Sequence, residues 1–186
     1  MIFSLIYSCG TTSEVSKIDE ANLSIQTELE FPENALGYWV GEIGIFQDTG
    51  LVQTLPMALD IFEIGESGVW AWHIIYNPGK DQDKRSYLLI EVDKERGHYQ
   101  IDEDNGIILD AYVLDNKLIS SFSVSNSTLQ TINTFLEDQM VFEVILCPQE
   151  AINTTGNMRV EDNQIPPVDS YKVSTYQRAV LKRKRG

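Results

Sequence analysis

From Leu36 onward, turn residues cut the chain into short apolar-rich runs every eight to twelve positions. That spacing restricts the fold more than any other feature, because all-β sandwiches and barrels repeat with this period and helical domains do not. The runs cover 37–46, 55–64, 69–76, 85–92, 98–101, 107–114, 118–124, 129–136, 140–147 and 171–181. Between them, Gly65-Glu66-Ser67-Gly68, Asp104-Asn105-Gly106 and Asp115-Asn116 supply residues that tolerate positive φ, as tight hairpins require. Sequential strands on short loops make a meander. The expected fold class is therefore all-β, a single antiparallel up-and-down barrel of about eight to ten strands.

Two segments need separate treatment. Leu129, Ile132, Phe135 and Leu136 fit helical spacing, but Thr128, Thr131 and Thr134 between them favour a strand. The polar stretch 148–169, with Pro166-Pro167, reads as a long loop or lid before the closing strand. In 69–76 the alternation is clear on one face, Trp70, Trp72, Ile74 and Tyr76. The other face, Val69, Ala71, His73 and Ile75, is not polar either, which predicts a strand covered on both sides.

A chain of 186 residues, 42% of them hydrophobic, holds one domain with a real core and little more. Five of its 14 basic residues lie in the last nine positions, so 1–177 carries 28 acids against nine bases, a balance of −19. Such a body repels phosphate backbones and argues against nucleic acid as a partner. The terminal Lys182-Arg183-Lys184-Arg185 reads as the solvated end of the last strand, with an anionic surface as the alternative contact. No stretch of 18 apolar residues encodes a membrane-spanning helix.

Residues 1–9 end in Ile6-Tyr7-Ser8-Cys9 and resemble the lipobox of bacterial lipoproteins. The run has no Lys or Arg, and its apolar part sits at the short edge of such leaders. The resemblance implies a lipid anchor on Cys9, a membrane as partner and a place in the cell envelope; a frayed apolar terminus is the alternative. Residues 10–34 have the composition of a polar linker, a spacer or a plug under the barrel, in which Ile18, Ala21, Ile25 and Leu29 suit a brief amphipathic helix. The barrel domain is then 35–186. Cys147, at the end of an apolar run, reads as a buried inert thiol, with a bond to Cys9 as its rival.

Leu36-Gly37-Tyr38-Trp39 resembles the G-x-W signature of the lipocalins, within the calycin barrels. In that family the tryptophan plugs one end of the barrel and an arginine from a late strand packs on its face. The resemblance makes Arg178, on the final strand, the expected stacking cation for Trp39. Glycines 37, 41 and 44 extend the likeness toward the nitrobindin-type branch, which binds haem through a late-strand histidine. The histidines here, His73 and His98, lie on early or middle strands, so haem is not carried over and no cofactor is expected.

The interior of such a barrel is its default pocket. Trp39, Trp70, Trp72, His73, Tyr76, Arg85, Tyr87, Tyr99, Tyr112 and Arg178 are the candidate ligand-binding residues. Aromatics in this number stack on a flat ligand or cradle a lipid tail, or they simply form core. His73 reads as a hydrogen-bonded core residue or a ligand contact. Arg85 and Tyr87 share one face of a strand; facing inward they hold a carboxylate, facing outward they are surface. Asp102-Glu103-Asp104-Asn105-Gly106 has its glycine one place early for a calcium loop and reads as a hairpin turn. No nucleophile elbow, P-loop or zinc-protease motif occurs. The reading that results is an envelope-associated, lipocalin-like binder of a small hydrophobic or aromatic ligand. A non-enzymatic interaction module without a small ligand is the alternative.

Overall fold

In the computed structural model, which describes residues 30–79 and 82–184, ten antiparallel strands close into one barrel. The barrel strands are β1 (Gly37–Gln47), β2 (Gly50–Glu63), β3 (Val69–Tyr76), β4 (Asp83–Asp93), β5 (His98–Asp102), β6 (Ile108–Leu114), β7 (Lys117–Val124), β8 (Ser127–Phe135) and β9 (Gln139–Pro148). Then come four short strands outside the barrel, β10 (Ala151–Thr155), β11 (Met158–Val160), β12 (Asn163–Ile165) and β13 (Val168–Tyr171). β14 (Thr175–Arg183) finishes the chain by inserting between β9 and β1. The threonine-rich run around Leu129 is a strand, as β-branching favours.

The 148–169 stretch is not the structureless lid that its polarity suggests. β10 pairs with β13 and β11 with β12, so the segment folds back on itself as a ribbon. Positive φ at Gly156, Asn157 and Glu161 turns its corners. Backbone pairing satisfies the polar groups that a lid would leave to water, while Ile152, Met158, Val160 and Val168 stay exposed. The ribbon leaves β9 and returns to β14 at the same end of the barrel as the β1–β2 turn. There Lys172 reaches Asp48 at 2.8 Å and holds its carboxyl below the usual carboxylate range.

Strand parity sorts the side chains. Trp39 and Ile43, Met57, Leu59 and Ile61, Trp70 and Trp72, Leu89, Tyr99, Leu118, Phe135, Met140 and Leu181 point inward and form one core. The outward positions between them include Asp60, Lys84, Gln100, Asp110, Gln130, Glu143 and Arg178. Apolar residues share that outer wall, among them Val52, Phe62, Ile108 and Leu114, which are exposed.

One end of the barrel is stopped by its own chain. Phe31, Pro32 and Ala35, around a short 3-10 turn at Glu33–Ala35, are buried there. The Phe31 ring meets Tyr99 edge-on at 4.9 Å and Phe135 at 5.2 Å. Trp39, fully buried, donates its indole N–H to the Ala35 carbonyl at 2.8 Å. Its face is covered by a guanidinium 4.3 Å from the ring centroid, and that group belongs to Arg183, not to Arg178. Arg183 also donates from Nη2 to the Asn34 carbonyl at 2.6 Å. The correction follows from parity: Ala179 and Leu181 are buried and Arg183 shares their face, whereas Arg178 is exposed on the outer wall. So the basic tail is not all solvated, since Arg183 belongs to the cap. Lys184 donates its backbone N–H to the Tyr38 carbonyl.

Two glycines of the G-x-W-x-G stretch have physical reasons. Gly37 sits at φ +132°, and a Cβ there would meet the Arg183 stem at 3.7 Å. At Gly41 a Cβ would stand 2.5 Å from the Val180 carbonyl oxygen, so β14 could not close as tightly against β1.

Gly41→Val is expected to destabilise the barrel by about 2 kcal/mol or more in urea unfolding, the scale of overpacking against backbone. In the same assay Arg183→Met loses about 1–3 kcal/mol, for the cation–π contact and the hydrogen bond together. Arg178→Gln stays within about 0.5 kcal/mol. Equal losses for the two arginines would reverse the assignment.

Candidate functional site

At the end opposite the cap the barrel is hollow. A cavity of about 240 Å³ opens there, well above the ~10–15 Å³ that one water needs. Its upper wall comes from the ends of β3 and β5 and the starts of β4, β6, β8 and β14: Tyr76, Ile101, Arg85, Tyr87, Leu109, Leu129 and Gln177. Trp72, Ala111, Leu118, Ser120, Asn133 and Phe142 line it deeper, next to the packed core.

The charged groups gather at the mouth. Arg85 lies with its guanidinium 5.4 Å from the Tyr76 ring centroid and 3.9 Å from the Asp83 carboxylate, both partners of the ion pair being largely exposed. Tyr87 stands two residues along the same inward face. Burial pushes the Tyr76 hydroxyl above its ordinary pKa, although the Arg85 charge beside it pulls the other way. A cation between two phenols at the lip of an apolar cup suits an anionic group on an otherwise apolar ligand. Glu103 is the one carboxylate among the described lining residues, and neither histidine nor cysteine joins it. That set holds no paired acids and no nucleophile with a base beside it.

Of the ten candidates, Trp72, Tyr76, Arg85 and Tyr87 line the cavity. The open question about Arg85 and Tyr87 is decided by register: Tyr87 pairs with Trp72 and Arg85 with Ile74, so all four face inward. Trp39, Trp70 and Tyr99 are buried in the core toward the capped end. Burial there pushes the Tyr99 hydroxyl up to about 12. The remaining three lie on the outer wall. His73 is not a hydrogen-bonded core residue: it packs edge-on against Phe62, its Nδ1 is buried without a partner, and burial lowers its pKa. Tyr112 stacks on His98, 4.7 Å between ring centroids and 9° between planes. His98 in turn lies 2.8 Å from Asp110, and that hydrogen bond holds the Asp110 carboxyl below its ordinary range. Arg178 is the third. The run 102–106 is the β5–β6 turn, with Asp104 at positive φ and its N–H bonded to the Asp102 carboxylate. Cys147 is half-buried on the outer wall beside Thr128 and Gln130, and Cys9 lies outside the described residues.

The lining residues missed from the sequence include Ser120, Asn133, Phe122, Phe142 and Leu129. The parity of β7, β8 and β9 carried a signal for them. Ser120 lies between Leu118 and Phe122, and Asn133 two before Phe135, in each case on the apolar face of its own strand.

No family model matches the chain, and no curated protein does. Solved structures do match. An S-type phycobiliprotein lyase from Guillardia theta superimposes with a TM-score of 0.53 at 10% identity, over 83% of this chain and 90% of the lyase. A protein of unknown function from the DUF3598 family of Nostoc punctiforme matches with a TM-score of 0.53 at 9% identity, over 82% of this chain. This chain spans 48% of that second protein. At such identities the likeness is one of fold, a closed antiparallel barrel, and function is argued from the site.

Proposed function

We propose that this chain is a lipocalin-like container that takes a small hydrophobic or aromatic ligand into its barrel from the open end. The observation that carries the reading is the cavity of about 240 Å³, walled by Trp72, Tyr76, Tyr87, Phe122 and Phe142 with Arg85 at its mouth. An apolar hollow with a few convergent polar groups is the usual form of a small-molecule site. Its lack of an acid–base pair speaks for binding over catalysis.

Two fluorescent probes test it. N-phenyl-1-naphthylamine is neutral, and 1-anilinonaphthalene-8-sulfonate adds an anion to the same rings. Both are expected to bind with a stoichiometry near one and to alter the emission of Trp72. Arg85→Gln then weakens the sulfonate about tenfold and leaves the neutral probe within about twofold. Failure of both probes to saturate the folded protein would sink the container reading. It would leave a partner-docking module, which the exposed Ile152, Met158, Val160 and Val168 of the ribbon favour.

Tethering to a cell envelope through an acylated Cys9 is a further proposal that rests on the Ile6-Tyr7-Ser8-Cys9 pattern alone. Expressed in bacteria, the full chain should fractionate with membranes and Cys9→Ser should not. Equal partitioning of the two argues against the anchor.

A further inference from the structure

Among the described residues the buried polar side chains are two, Ser120 at 4% exposure and Asn133 at 5%, and both line the cavity. They lie on neighbouring strands. Leu118 is the partner of Asn133 and Thr131 that of Ser120, so the two occupy diagonal positions on the inward face of β7 and β8. The Ser120 hydroxyl donates to the Asp110 carbonyl at 2.6 Å, which commits its proton and leaves only acceptor capacity toward the cavity. Asn133 Oδ1 is buried and has no hydrogen-bond partner. A buried carbonyl oxygen without a donor is costly, and a leucine of similar size would remove the cost. An Asn133 amide without a hydrogen-bond partner therefore stands beside the Ser120 and Thr131 hydroxyls among the apolar side chains at the depth of the cup.

Resting on the container reading, we infer that the inner end of the bound ligand carries a hydroxyl or N–H, which pairs with the Asn133 side-chain amide, with Ser120 Oγ beside it. The ligand class is then a compact aromatic or alicyclic molecule with a hydroxyl or N–H at its leading end. A hydrocarbon tail inserted first is the wrong shape of polarity for this floor. Asn133 is a specificity-determining residue under this reading, since Trp72, Phe142 and Leu118 around it accept any apolar body of the right size.

The test compares 2-naphthol, which donates, with 2-methoxynaphthalene, which has the same rings and only accepts. Dissociation constants are read from Trp fluorescence, with naphthalene, which neither donates nor accepts, and N-phenyl-1-naphthylamine run alongside. In the wild-type protein the naphthol is expected to bind about fivefold tighter than the ether. In Asn133→Leu that ratio falls to about one, while naphthalene binds no more weakly than before and the melting temperature is unchanged or raised. A measurement on the unsubstituted chain covers the case of a variant that does not fold: the Asn133 side-chain amide resonances shift on adding naphthol and not on adding the ether. Equal affinities in the wild-type protein, or a preference that survives Asn133→Leu, overturns the inference and leaves the container intact. If N-phenyl-1-naphthylamine also fails to bind, the container reading falls and this inference with it.

Discussion

The contact on which the molecule depends is the guanidinium of Arg183 laid over the indole of Trp39. It lies across the antiparallel β1–β14 pairing that closes the ring, and so it ties the first barrel strand to the last. The same arginine bonds the Asn34 carbonyl and the same indole bonds the Ala35 carbonyl, so the segment before β1 is fixed across the end of the barrel by two side chains. Phe31 then fills the space beside Tyr99 and Phe135. A polar backbone turn is buried at this end, and it is tolerated because its carbonyls find donors.

Stopping one end has a consequence for the other. Near the cap the inward positions carry large residues, Trp39, Leu59, Tyr99, Phe135 and Met140, and they pack solidly. Beyond that packing the inward positions of β6, β7 and β8 include the small residues Ala111, Ser120 and Thr131, beside the volume left between Trp72, Tyr87 and Phe142. The hollow thus lies where small inward side chains follow the large ones of the capped end. The apolar side chains that wall the hollow make it a place where an apolar guest gains by leaving water.

Parity within strands was legible in the sequence to an unequal degree. Trp72 and Tyr76 alternate with smaller or polar neighbours and read as one face at once. On β4 the inward face holds Arg85 and Tyr87, and neither residue type announces which side of a sheet it prefers. Register against β3 settled it. The choice of Arg178 over Arg183 failed for the same cause. Both lie on the last strand, and only the burial of Ala179 and Leu181 shows which parity faces the tryptophan. His73 deceived in the other direction: an apolar strand on both faces suggested core, but the outer face is covered by Phe62 and neighbouring strands, away from the cavity.

By itself the sequence determined the fold class, most strand positions and an acidic body, because these follow from local periodicity, turn chemistry and net charge; the capping role of Trp39 was implied by the resemblance of Gly37-Tyr38-Trp39 to the lipocalin signature. It missed the ribbon at 151–171, whose polar strands pair only with one another and so show no apolar period. The tertiary structure alone decided which faces turn inward, which arginine meets Trp39, and that Asn133 and Ser120 stand together in the cavity. Those facts depend on register between strands distant in sequence, and a shift of one residue in register would exchange every inward side chain for its outward neighbour.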